Sequence, residues 1–305
     1  MKLTLETQII PKNATVIVGV SGGRDSMSLV HALLKQRKDL TIIPAHLNHG
    51  LRIDADEDAE FTIGMMTRWE LNCELYKPRA AKAGNIEEWG RDKRYEFFTK
   101  LAKKHKAAAI LTAHHQDDDF ESMMLHFLRG TRVKGLSGMQ FQREEIVRPL
   151  LYTSRNEIDE YVEKHEIPYR EDPSNADDRF ARNFLRNKII PVLNHVYPEM
   201  AAKWQGQKEY WLELQEMLET SAAVFLQEFL DKKEGLHRAA YKQLPFPIRA
   251  TVLELWYRES TGERVPDSTT LHRWDEAIIT FNSRKKTEWH KKTFLTMSKE
   301  RAKIQ

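Results

Sequence analysis

TVIVGVSGGRDS, residues 15–26, decides how this chain is read. Its first six residues are apolar or small and mostly β-branched, as in a strand buried on both faces. Two glycines then break the strand, and from Ser26 to Gln36 the residues Met27, Val30, Leu33 and Leu34 recur at helical spacing. A strand, a glycine turn and a helix in immediate succession predict one unit of a parallel sheet. The alternation continues outward. Further strands are predicted at 40–46, 71–76, 108–112 and 146–151, and helices at 54–69, 86–104, 118–128 and 154–165. The last helix opens with a capping box, Ser154 to Glu157. Pro44 lies inside the second strand and predicts an irregular or edge position there, because it has no N–H for the ladder. The expected fold class is α/β, a doubly wound, mostly parallel sheet. After Pro198 the pattern changes. Trp204, Trp211, Leu214, Leu218, Phe225 and Phe229 trace one long amphipathic helix to about Leu230, interrupted only by Gln207. Helices from Pro245 and Ser268 and a hairpin across Thr287 to Met297 follow. Two domains are expected, 1–198 and a mainly helical 199–305.

The composition narrows the classes. The chain has 305 residues, 48 Lys+Arg against 45 Asp+Glu, which is enough chain for two cores. No apolar run reaches the length of a membrane span, about 18 residues. Met1 to Pro11, with Glu6, lacks the basic-then-apolar order of a signal peptide. Cys73 is the only cysteine, which excludes an internal disulfide, a Cys₄ zinc site, an iron–sulfur cluster and a C-x-x-C pair, and points to a reducing, cytoplasmic setting. Charge is uneven. Residues 284–305 hold eight Lys/Arg against Glu288 and Glu300. Such a basic tail suits either a polyanion such as RNA or a plain solvated surface.

Polar clusters follow the first, second and fourth predicted strands: Ser21-Gly22-Gly23-Arg24-Asp25-Ser26, His46 through Asn48 to Arg52, and His114-His115-Gln116-Asp117-Asp118-Asp119-Phe120-Glu121. Ligands of open parallel sheets bind beyond the carboxyl ends of the strands, so three distant loops are expected on one rim. The first loop reads as a phosphate cradle, with glycine backbone, two serine hydroxyls and a helix N-terminus. It is neither G-x-x-x-x-G-K-[ST] nor G-x-G-x-x-G. Asp25 beside a phosphate is useful chiefly if Mg²⁺ bridges the two. Helix capping accounts for one or two of the acids at 117–121, not four. Asp118 and Glu121, three apart, share a face suited to a metal or an ammonium. The histidines at 46, 49, 114 and 115 leave a zinc site as the alternative.

These motifs together resemble the tRNA(Ile)-lysidine synthetase family of the N-type ATP pyrophosphatase (PP-loop) superfamily. The resemblance rests on the Ser21–Ser26 loop, His46-x-Asn48-His49-Gly50-Leu51-Arg52, the 114–121 block, Phe127 to Thr131, Gly135 to Met139, Arg148 to Leu151, and Asp172 to Asn175 with Phe180, Arg182, Asn183, Arg186 and Pro191. It covers roughly residues 14–195. Ala113, Asp119 and Ser122 depart from the usual glycine, glutamine and threonine. The resemblance implies a Rossmann-like PP-loop catalytic domain at 1–198 and a tRNA-binding domain with a basic tail at 199–305. It implies a ligase that adenylates the C2 oxygen of the wobble cytidine of the minor tRNA(Ile) with a CAU anticodon, releases pyrophosphate, and lets the ε-amine of free L-lysine displace AMP at C2. ATP would lie on Ser21, Gly22, Gly23, Arg24, Asp25, Ser26, His46 and Asn48. Asp25 and Asp118 would share Mg²⁺, Asp117 and Glu121 would hold the lysine ammonium, and His114 would take its proton. Arg91, Arg94, Arg129, Arg132, Arg182, Asn183 and Arg186 would meet the tRNA. Members often carry a further C-terminal domain, so 305 residues reads either as a short form or as a truncated piece of a longer chain; a homodimer is left open. The rival readings are a PP-loop tRNA thiolase, an ammonia-dependent synthetase and a non-catalytic nucleotide sensor.

Overall fold

The computed structural model describes residues 2–50, 54–78, 86–231, 233–262, 267–281, 285–290 and 293–304. Leu51 and Arg52 of the second motif, and Arg284, Lys291 and Lys292 of the basic segment, lie outside them. The chain divides into two compact units, residues 1–125 with 138–206, and residues 126–137 with 207–305.

In chain order the first elements are β1 (Thr15–Gly19), α1 (Arg24–Gln36), β2 (Thr41–Leu47), α2 (Ala55–Arg68), β3 (Glu74–Tyr76), α3 (Ile86–His105), β4 (Ala109–Leu111) and α4 (Gln116–Leu128). Next come α5 (Val133–Leu136), β5 (Gln142–Arg143), β6 (Ile146–Val147) and α6 (Arg155–His165). After a 3₁₀ turn at Pro173–Ala176, α7 (Ala181–Phe184) runs through a π-helical turn into α8 (Ile190–Val196), followed by α9 (Met200–Gln205). The first unit's sheet has the order β3-β2-β1-β4-β6-β5, parallel except for β5. Val16 and Val18 enter one core with Met27, Val30 and Leu33 of α1; Ile17 enters the other with Phe97, Phe98 and Leu101 of α3. Strand alternation thus covers both faces, the doubly wound arrangement.

Pro44 is not at an edge. β2 lies between β1 and β3, and Pro44 is opposite Val18. Thr41 N donates to Ala14 O and Ala45 O accepts from Val20 N, so odd positions of β2 bond toward β1. Pro44 therefore faces the other side, where β3 pairs only from Ala45 onward, and its missing N–H costs no bond. The fifth predicted strand shrinks to Ile146–Val147, because Leu150 and Leu151 turn into the loop that enters α6.

In the second unit, α10 (Lys208–Phe229), β7 (Leu230–Asp231), β8 (Gly235–His237), α11 (Arg238–Gln243), α12 (Phe246–Thr261) and α13 (Ser268–Thr280) precede β9 (Lys285–His290), β10 (Thr293–Met297) and β11 (Arg301–Ile304). The predicted long helix is two, broken at Gly206 and Gln207. α9 belongs to the first unit: Gln205 donates to Leu151 O at 2.8 Å and Trp204 packs on Phe120. The division therefore falls after Gly206, not Pro198. Nor is the basic segment a tail. Its alternating residues, with Leu295, Met297 and Ala302 buried, build three strands of the antiparallel sheet β7-β8-β11-β10-β9, and the 287–297 hairpin is its β9–β10 pair. No described helix is long and apolar enough to cross a membrane.

Candidate active site

The chain leaves β1 toward β2 on one side and reaches β4 on the other, so the strand order switches direction between β1 and β4. The carboxyl ends of those strands are the favoured place for a ligand. The loop after β1 is bound to itself: Ser26 Oγ accepts from Ser21 N at 3.1 Å and donates to Gly23 O at 2.9 Å, while Gly23 N donates to Ser21 Oγ at 3.2 Å. Gly22 has φ +84°, and a Cβ there would stand 2.5 Å from Thr62 Oγ1, so only glycine fits. No side chain caps α1, whose first-turn N–H groups stay available to an anion. Arg24 reaches elsewhere, donating to Asp159 at 2.7 Å, Tyr169 Oη at 2.9 Å and Glu171 at 3.0 Å. In the second loop, His46 Nδ1 lies 2.8 Å from Val20 O, and Asn48 donates to Asp56 at 2.6 Å while accepting from Gly50 N.

The loop after β4 meets the first at His115. This ring is 1% exposed, with Nε2 3.3 Å from Asp118 Oδ2 and 3.8 Å from Asp25 Oδ2, and Nδ1 3.5 Å from Asp117 Oδ2. Burial works against its charged form, yet Asp118, Asp117 and Asp25 outweigh burial and raise its pKa. His114 differs. Burial pushes its pKa down to about 4, with Arg148, Arg182 and Arg94 adding to the shift and Asp118 opposing it, and its Nδ1 lies 2.9 Å from Thr112 Oγ1. Burial would raise the pKa of Asp118, but His115, His114 and Arg186 hold it well below the usual carboxylate range. Glu121 is raised, chiefly by burial, against the pull of Arg186. The departure at position 119 is also explained. Asp119 is fully buried and accepts from Met139 N, closing the turn at Gly138.

Arginines dominate the other side of these acids. Arg186 donates to Glu121 at 2.6 and 2.7 Å and to Asp118 at 2.8 Å. Arg182 donates to Ser122 and lies 4.0 Å from Glu121. Asn183 spends its amide on Ser174 O and Asp177 O, pinning the 3₁₀ turn. The face expected to meet RNA thus turns partly inward: Arg186 occupies the carboxylate pair assigned to metal and ammonium. Two residues hold places the sequence did not assign them. Arg155 pairs its guanidinium with Asp25, and its N–H donates to Asp117 at 2.9 Å. His115 is the hub. The capping box and the double histidine marked both positions; partners 130 and 38 residues away from Arg155 did not show. Arg91 is exposed over the Tyr95 ring at 5.8 Å, and Arg94 lies 3.2 Å from His49 Nε2. Arg129 is exposed, and Arg132 pairs with Glu254, both within the second unit.

Asp25 Oδ2 and Asp118 Oδ2 lie 3.8 and 3.3 Å from His115 Nε2, and these two carboxylates, now paired with Arg155 and Arg186, are the ones that would hold a shared Mg²⁺. Mg²⁺ is commonly held by one or two carboxylates plus phosphate oxygens. The four histidines have separate partners, and no three His, Cys, Asp or Glu among the described residues gather to hold a metal unaided.

A parallel sheet, a glycine cradle and a carboxylate cluster at its switch point define a nucleotide-binding α/β protein. The chain belongs to the PP-loop domain family, which it matches over residues 2–193. It is 33% identical over 281 residues to the tRNA(Ile)-lysidine synthase of Geobacillus kaustophilus, covering 87% of this chain and 60% of that one. The corresponding enzyme of Actinobacillus pleuropneumoniae is 32% identical over 276 residues, 88% of this chain and 65% of that one. That of Bacillus subtilis is 32% identical, over 86% of this chain and 58% of its own length. The chain thus spans about 60% of the length of these relatives. The U34-tRNA thiolase NcsA of Methanococcus maripaludis shares the fold, with TM-score 0.58 and 17% identity over 69% of this chain and 76% of its own.

Proposed function

We propose that this protein ligates L-lysine to C2 of the wobble cytidine of the minor tRNA(Ile), through an adenylated cytidine, in the cytoplasm. The supporting observation is the convergence of the glycine cradle with Asp25, Asp117 and Asp118 around His115, with Glu121 joined to Asp118 through Arg186, in a chain similar to three lysidine synthases. The loop N–H groups and Ser21 and Ser26 receive the triphosphate. Asp25 and Asp118 would hold Mg²⁺, which would offset charge developing on the departing pyrophosphate. Glu121, with Asp117, receives the lysine ammonium, and Arg186 gives up part of its hold on Glu121 as lysine enters. An amine attacks only when neutral, and His114, which burial keeps uncharged near pH 7, is the residue we assign to take the proton. Arg91, Arg94, Arg182 and the basic residues of the second unit supply tRNA phosphate contacts.

Incubation with ATP, Mg²⁺, total tRNA and radiolabelled lysine tests this, and label in acid-precipitable RNA is expected. Label that instead requires ammonia or a sulfur donor assigns another PP-loop reaction. Cys73 speaks against sulfur relay: burial pushes its thiol up to about 11, so little thiolate exists near neutrality.

A further inference from the structure

α6 begins one residue after Ser154, and its first turn carries Arg155 and Asp159, four apart and therefore on one face. These meet two consecutive residues of the phosphate loop. Arg155 pairs with Asp25, and Asp159 accepts from Arg24 at 2.7 Å. The charges alternate along the row, and Arg155 also lies 3.9 Å from Asp159. The clasp is fixed from both ends. On the helix, Ser154 and Glu157 complete a reciprocal capping box that sets the backbone of Arg155. On the loop, Arg24 is further held by Tyr169 and Glu171, its guanidinium 4.7 Å from the Tyr169 ring centre. The neighbouring Arg170 N donates to Gly22 O at 3.0 Å, and its guanidinium pairs with Asp58 at 2.7 Å. The one position of the SGGxDS loop that is neither glycine, serine nor aspartate thus carries three side-chain bonds that help tie the loop down, beside the bonds at Gly22 and Asp25.

We infer that the first turn of α6 is a positioning element for ATP: Arg155 and Asp159 hold Asp25 and Arg24 so that the loop presents its N–H groups and its carboxylate in one fixed arrangement. Neither Arg24 nor Asp159 touches reacting atoms here; they act through the loop. The inference rests on the reading that this loop takes ATP, and is independent of lysine being the nucleophile.

Calorimetric titration of the full chain with ATP and Mg²⁺, alongside tRNA binding, tests it. Asp159→Asn should weaken ATP binding about threefold to fivefold, as suits a half-exposed pair. Arg24→Met, which loses three partners, should weaken it about tenfold, and Arg24→Lys less. tRNA affinity should stay within twofold in each. The double variant Arg24→Met with Asp159→Asn should bind ATP no worse than Arg24→Met alone, because the two residues act as one contact. Unchanged ATP affinity in both single variants overturns the inference. So does an additive double variant, or a parallel loss of tRNA affinity, which marks general unfolding. Wild-type protein that binds ATP but transfers no lysine refutes the proposed function and leaves this inference standing.

Discussion

In the second unit, buried Arg238 donates to the carbonyls of Ile278, Phe281 and Ser298, and Asp275 accepts from Tyr241 at 2.6 Å and from both arms of Arg249. In the first unit, buried His115 stands among three carboxylates with neither ring nitrogen in hydrogen-bond geometry. The first arrangement is closed: donors and acceptors match and nothing remains for a ligand. The second is open, with a buried ring left unbonded and arginines drawn in from α6 and the helical stretch from α7 to α8. A closed network specifies a fold, whereas an open one costs stability and is kept where chemistry needs it.

The sharpest way to break this contrast is Asp118→Asn. Lysine transfer should fall about a thousandfold, as for loss of a group that stabilises developing charge, while the melting midpoint falls only modestly and the protein stays folded. A loss below tenfold would mean the open cluster is no more functional than the closed one. The reverse substitution test is Arg238→Met in the second unit. It strands the carbonyls the guanidinium served and should cost about 3 kcal/mol in denaturant unfolding of that unit, while ATP still binds.

The contrast was only half visible in the sequence. β1, the glycine turn and α1 are legible because their forces are local: β-branched apolar residues, a backbone position with φ +84°, and helical spacing. The acids were legible by their density. Their partners were not. Arg186 sits 65 residues beyond Glu121, and although helical spacing puts it on one face with Arg182, nothing local shows that this face meets the acids. The strands β9 to β11 read as a basic tail because Lys and Arg are dense there and apolar residues few, and the small apolar set suffices only within a five-stranded sheet.

A smaller effect separates the two histidine types of the first unit by pH. Burial lowers the pKa of His46, and burial with Arg94 lowers His49 to about 4. A histidine lowered on folding binds its proton more readily when unfolded. Its contribution is therefore complete above about pH 6.5 and is lost as pH falls from there toward 4. The melting midpoint should drop across that window, and His49→Gln should flatten the drop. An unchanged slope in that variant would place the acid sensitivity elsewhere.

The smallest expected effect tests the comparison within a single turn. Asp119 follows Asp118 directly, is fully buried, and accepts from the Met139 N–H. It also lies close enough to Arg148 to favour that guanidinium's charge. An amide oxygen can accept the same N–H bond, and burying an amide spares the desolvation of a carboxylate. Against this stands the lost attraction to Arg148, itself buried and bonded to Gln140 O at 2.6 Å. Asp119→Asn should therefore cost about 1–2 kcal/mol of stability, the scale of one weakened buried polar contact, and change lysine transfer by no more than about twofold. The same substitution at adjacent positions would then give a functional loss without unfolding at 118 and a mild structural loss without functional change at 119. If transfer collapses at 119 as well, the boundary between the open and closed networks runs deeper than the ring of His115, and the turn at Gly138 belongs to the reacting site.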